Sequence, residues 1–192
     1  MRFRTSVPVA VCVFAAGLGV AGCSSGSSGG AAGGPAATGN VRNCLASGLS
    51  FTLAGNRQTA QGQRTQVVDM TNNGSSACAM EGSPDVDLIG DTSSQPSYDW
   101  PLARTLTKGA AKVTLQPGAT AHFDLVYLPD DPASGGDSKS IIKVLKMVIA
   151  APSDDNQRDN DVEGSLTWPQ DVLLQDAATH PGTYIMPVAS GS

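Results

Sequence analysis

Thr65-Gln66-Val67-Val68-Asp69-Met70-Thr71 runs into Asn72-Asn73-Gly74-Ser75-Ser76, and an apolar segment follows at Ala77-Cys78-Ala79-Met80. The first segment is rich in β-branched residues, which suit a pleated, half-buried surface. Asn and Gly tolerate positive φ, so the Asn-Gly pair reads as a tight reversal. Strand, turn and strand are therefore expected, with Cys78 on the returning strand. The same grammar recurs outward in both directions. Leu49, Phe51 and Leu53 alternate with small or polar residues, and Val86 to Ile89 reads as a further short strand. Lys112 to Gln116 leads into Pro117-Gly118, after which Ala119, Ala121, Phe123, Leu125 and Tyr127 alternate over one strand. Leu166 to Trp168, Val172 to Leu174 and Tyr184 to Val188 supply the last strands. Ile141 to Ala151 is a long apolar segment whose β-branched content favours a strand, with a helix as the competing reading over Ile141 to Lys146. Asp91 to Thr107 and Asp154 to Gly164 read as long loops. Seven to nine closely spaced strands without a convincing long helix indicate an all-β fold, an antiparallel immunoglobulin-like β-sandwich.

The N-terminus has a different character. Arg2 and Arg4 precede an apolar run from Val7 to Val20 that Pro8, Gly17 and Gly19 interrupt. The run falls short of the roughly 20 residues that a membrane-spanning helix needs, so residues 1–22 read as a secretory signal. Val20-Ala21-Gly22-Cys23 resembles the bacterial lipobox, in which small residues precede a cysteine that takes a diacylglyceryl group before cleavage. Cys23 is then the first residue of a lipid-anchored chain (palmitate among its acyl groups) on the extracytoplasmic face of a bacterial membrane. Two or more acyl chains hold stably, since each buried CH₂ contributes about 0.8 kcal/mol. Residues 24–40 contain only Ser, Gly, Ala, Pro, Thr and Asn and read, with Cys23, as a flexible tether over 23–40. Its root-mean-square reach is roughly 25 Å. Residues 41–192 remain as one domain.

Charge excludes one class of partner. The chain carries 12 Lys and Arg against 17 Asp and Glu. Loss of Arg2 and Arg4 leaves 10 basic side chains and a net charge of −7. Nucleic-acid binding needs a concentrated basic footprint and is not expected.

Four cysteines sort by position. Cys12 leaves with the signal, Cys23 is consumed by lipid, and Cys44 and Cys78 remain. An even pair in an oxidising compartment is most simply a disulfide. A redox-active pair would call for a C-x-x-C spacing and a thioredoxin-like pattern, which are absent.

The residues 67–74 quoted above, with Ala77-Cys78-Ala79-Met80-Glu81-Gly82-Ser83-Pro84, resemble the "strand, Thr-Asn-x-Gly, Ala-Cys-x-Leu-x-Gly-x-Pro" core of an actinobacterial family of secreted proteins and lipoproteins, the one carrying the domain of unknown function 4232. Val113-Thr114-Leu115-Gln116-Pro117-Gly118 is similar to that family's second motif, and Cys44 matches its upstream cysteine. Ser83 stands where the family commonly has an aromatic residue, which alters one packing contact. The resemblance spans about residues 44–188. It implies a β-sandwich, a disulfide and an envelope location, and it brings no established activity and no functional residues.

No constellation of catalytic residues emerges. Asp159, Asp161, Glu163 and Gly164 resemble the start of a calcium loop, but Gln170 stands where a bidentate Glu is needed and Trp168-Pro169 interrupts the loop. A solvated acidic loop over 154–163 is the plainer reading. Ser140-Ile141-Ile142-Lys143 matches Ser-x-x-Lys by letters alone, without the accompanying motifs. His122 lies on the face of its strand opposite Phe123, and His180 sits in a Pro-Gly turn. With Met70, Met80, Met147 and Met186 they form no His-x-Met cluster, so no metal and no cofactor are expected. Tyr98 and Trp100, flanking Asp99, are the candidate recognition loop: exposed aromatics beside an acid can stack on a sugar or anchor a protein. The alternative is that both rings cap the core. The expectation is a non-enzymatic binding or scaffolding protein of the bacterial envelope, with an envelope protein or a glycan as partner. A solute-binding module and an envelope hydrolase are the competing classes.

Overall fold

A computed structural model describes residues 41–59, 62–105, 110–130, 141–152, 164–175 and 182–191. The lipobox Cys23, the tether, the acidic run 154–163, Ser140 and His180 lie outside the described residues. Strands, numbered in chain order, are β1 (Leu49–Gln58), β2 (Arg64–Asn72), β3 (Cys78–Met80), β4 (Asp85–Thr92), β5 (Tyr98–Pro101), β6 (Ala103–Arg104) and β7 (Val113–Leu115). The second half adds β8 (Thr120–Tyr127), β9 (Ile141–Ala150), β10 (Gly164–Thr167), β11 (Asp171–Leu173), β12 (Tyr184–Ile185) and β13 (Ala189–Ser190). Several of these are two- or three-residue segments too short to carry a readable alternation, so the strands outnumber those expected.

Two sheets form the layers. In the first the order is β1-β2-β8-β12-β6, with β13 also pairing β8; in the second it is β10-β9-β4-β5, with β11 also pairing β9. Pairing is antiparallel except between β12 and β6, which run parallel. The strand period of two decides what each sheet buries. Val68 and Met70 of β2 and Ala121, Phe123, Leu125 and Tyr127 of β8 point inward from the first sheet. Val86 and Leu88 of β4 and Ile142, Val144, Met147 and Ile149 of β9 meet them from the second, in one apolar cluster. Side chains of this size stabilise by roughly 1.5–3 kcal/mol each when fully buried. At one margin of the layers Phe51 of β1 lies over Gly164 of β10, where an added Cβ would come within 2.2 Å of the ring.

β9 is strand throughout, which settles the competition with a helix. Its alternation is broken by a bulge: the register passes from Ile89↔Lys146 to Gly90↔Val144 and skips Leu145. Leu145 is turned to solvent, 60% exposed. Gly90 permits the bulge, because a Cβ there would lie 2.1 Å from the Lys143 carbonyl oxygen. On the far side, β10 pairs Lys146 to Ile149 and β11 pairs Ile141 to Lys143. The intervening Trp168 drops into the core, its ring edge-on to Tyr127 with centroids 4.9 Å apart.

The Asn-Gly reversal is not a hairpin. β2 pairs β1 and β8, whereas β3 pairs β7 in a separate two-stranded ladder. Asn72 causes the departure. Its Oδ1 accepts the Gly74 N–H at 2.9 Å, and its Nδ2 donates to the Ser76 carbonyl at 3.0 Å and the Leu115 carbonyl at 3.1 Å. An Asx turn thus replaces the backbone turn of a hairpin and carries the chain to β7. Asp91–Thr107, expected as one loop, contains β5 and β6. Leu102 between them is buried and donates its N–H to the Val86 carbonyl at 2.9 Å, and β5 and β6 belong to different sheets.

The expected disulfide joins Cys44 to Cys78. Both half-cystines are buried. Around them the segment 42–44 runs alongside β3: Cys44 N–H donates to the Ala79 carbonyl and Ala79 N–H to the Arg42 carbonyl, each at 2.9 Å. Ser83 is buried and donates its hydroxyl to the Thr105 carbonyl at 3.3 Å.

Candidate functional site

Tyr98 and Trp100 are not in a loop. They project from the same face of β5, which pairs β4 through Gly90↔Tyr98 and Leu88↔Trp100. Both rings are half-buried and pack against the core, while Asp99 and Pro101 between and beyond them are exposed. The pair therefore caps the sandwich, leaving only part of each ring to meet a ligand.

Two of the concavities among the described residues lie beside features already named. One, of about 490 Å³, is lined by Asp91, Asp130, Asp171, Lys143 and their neighbours. Lys143 stands in register between Asp91 and Asp171, so opposite charges face each other across three strands. The other, about 180 Å³, lies beside Cys78 and the Asn72 turn. Among the described residues no group of three or more His, Cys, Asp or Glu side chains could hold a metal ion. His122 lies, as its strand position requires, on the face opposite Phe123. Its Nδ1–H donates to the Gly191 carbonyl, and it is in register with Asp69 of β2.

Among the described residues, β1 forms a long sheet edge that the sequence did not single out. β1 is ten residues long and is terminal in its sheet, pairing β2 along one side. From Thr52 to Gln58 every residue is exposed. Edge strands are normally blunted by shortness, proline or lysine. The opposite margins follow that rule: β5 and β6 have four and two residues, with Asp99, Pro101 and Arg104 among them. β1 contains neither proline nor lysine, and its one irregularity is a bulge at Ala54, between Leu53 and Gly55.

That bulge is held in place rather than loose. Gln66 Nε2 donates to the Gly55 carbonyl at 2.8 Å. Asn56 Nδ2 donates to the Tyr127 hydroxyl at 2.6 Å, which ties the strand to the core. On the outer face Arg57 forms two contacts with the Asp124 carboxylate, at 3.0 and 3.2 Å. These ties hold the outer half of β1 as extended backbone. No local sequence signal marks β1 as an edge, because edge position depends on which distant strands pair. The bulge and the Gln66 tie likewise appear only once β1 and β2 are in register.

No curated protein matches the chain. Residues 44–180 match a family described as a domain of unknown function (DUF4232). The matched span includes both half-cystines, the Asn72 turn and the Pro117-Gly118 turn before β8, the features that position the two layers. The chain belongs to the DUF4232 family.

Proposed function

We propose that the chain is a lipid-anchored, non-enzymatic binding module of the bacterial cell envelope, which takes an extended segment of a partner polypeptide onto β1 by strand addition. The observation that carries this reading is the long, unblunted and pre-fixed edge of β1. Main-chain hydrogen bonds supply affinity in this mode, and alternate side chains supply specificity. Leu53, paired with the buried Val68, is 40% exposed on that same sheet face, so an incoming strand could extend the apolar face past it. Acylation at Cys23 and the tether 24–40 would hold this edge at the membrane while leaving it free to reorient.

The full chain in detergent, incubated with immobilised synthetic peptides of varied sequence, tests the binding reading. Amide hydrogen exchange with a captured peptide should slow along Leu49–Gln58. Ala54→Lys places a charge on the exposed edge and should leave stability within about 0.5 kcal/mol. It should weaken binding by about tenfold, equivalent to 1.4 kcal/mol. Protection confined to β5, or binding unchanged in Ala54→Lys, overturns the assignment. The anchor is tested separately by intact mass: the wild-type chain should begin at Cys23 and carry the added mass of its acyl groups, Cys23→Ala should lack that mass, and a wild-type chain without it refutes acylation at Cys23.

A further inference from the structure

We propose that Asn73 is a site of spontaneous deamidation whose rate in the folded chain is governed by its neighbour Asn72. Asn73 is exposed and is followed by glycine, so no side chain obstructs approach to its amide. In the reaction the Gly74 backbone nitrogen, having lost its proton, attacks Cγ of Asn73. A C–N bond forms, ammonia leaves, and the resulting five-membered succinimide is opened by water to aspartate or isoaspartate. Ring closure, on which both products depend, requires the Gly74 nitrogen to turn toward Cγ and lose its proton.

In the fold that nitrogen is engaged. Its N–H donates to Asn72 Oδ1 at 2.9 Å. Asn72 is only 2% exposed, and its own amide nitrogen is held by the Ser76 and Leu115 carbonyls, so the acceptor cannot swing away independently. The Asn73 N–H is likewise fixed, donating to the Gly48 carbonyl at 2.9 Å, and Ser50 Oγ donates to Asn73 Oδ1 at 3.4 Å. Two adjacent asparagines thus have opposite roles: Asn73 is the reactive amide and Asn72 the guard. Opening of the Asx turn converts the guarded state to the reactive one. The isoaspartate product adds a methylene to the main chain just before Cys78, where β2 is handed over to β3. Aspartate adds one negative charge there. Either product records how long the turn has been open.

The test holds the folded full chain at mildly alkaline pH and follows peptides spanning Asn73 for the mass gain of replacing –NH₂ by –OH. The wild-type chain unfolded in guanidinium and the Asn72→Ser variant are followed in parallel. Both should modify Asn73 about tenfold faster than folded wild type, a ratio corresponding to 1.4 kcal/mol and of the order of one hydrogen bond. Hydrogen exchange at the Gly74 amide of folded wild type supplies a reading independent of the variant's folding, and its protection should match the slowing of deamidation. A freely exchanging Gly74 amide, or equal rates in the three samples, overturns the guard. Absence of modification in the unfolded chain overturns the site itself.

Discussion

Replacing both Cys44 and Cys78 by alanine lowers the stability of the folded domain by about 4 kcal/mol. The chain-entropy relation gives this figure for a closed loop of the size set by a separation of 34 residues. In a domain of this length the midpoint of thermal unfolding should fall by roughly 8–16 °C. The location of the bridge explains why the loss is not absorbed locally. Residues 42–44 are joined to β3 by two backbone hydrogen bonds and an isolated parallel bridge, Asn43↔Ala79. Among the described residues the ladder of β3 is with the three residues of β7. So small a ladder contributes little by itself, and the disulfide keeps it closed. Alanine is preferred to serine because both sites are buried and a hydroxyl there would be desolvated. Guanidinium titration of the double variant against wild type measures the difference. A change below about 1 kcal/mol would mean that the unfolded chain already keeps the two segments together.

How far the fold could be read from the sequence depended on whether the deciding contacts were local. β8 was legible because Ala121, Phe123, Leu125 and Tyr127 bury one face of a strand whose period is two. β2 was legible for the same reason, but its partner was not. Asn72-Asn73-Gly74 satisfies the local requirements of a hairpin and equally those of an Asx turn, and the choice is made by Leu115, far along the chain, whose carbonyl receives the Asn72 side chain. β5 was hidden by Pro101, which disfavours a central strand but is tolerated on an edge. The bulge in β9 moved Leu145 outward and so blurred the alternation that separates strand from helix. The cysteine pairing was legible by elimination. The edge position of β1 was not, since edge or centre is a property of the assembled sheet, and β1 has the same alternation as strands that lie inside one.

Trp168→Ala destabilises the domain by about 3–5 kcal/mol, the range for removing a large aromatic side chain from a core. The ring is 1% exposed and packs edge-on against Tyr127, whose hydroxyl accepts a hydrogen bond from Asn56. The cavity would therefore open between the sheets, at the place where β10 hands over to β11 across the Leu145 bulge. Trp168→Phe tests a subtler point. The indole Nε1 is buried and has no hydrogen-bond partner among the described residues. An unsatisfied buried donor costs about 1–3 kcal/mol, and phenylalanine removes it along with part of the ring's contact area. The two effects oppose each other, so Trp168→Phe should destabilise by less than about 1.5 kcal/mol, well short of the alanine variant. Urea titrations followed by circular dichroism compare the three chains without relying on the tryptophan as the probe. If phenylalanine costs as much as alanine, the indole N–H is contributing a bond in solution, and a hydrogen-bond acceptor must stand at that point of the core. If it costs little, Trp168 is held by area and shape, and its nitrogen is the tolerated cost of filling the space beneath the bulge.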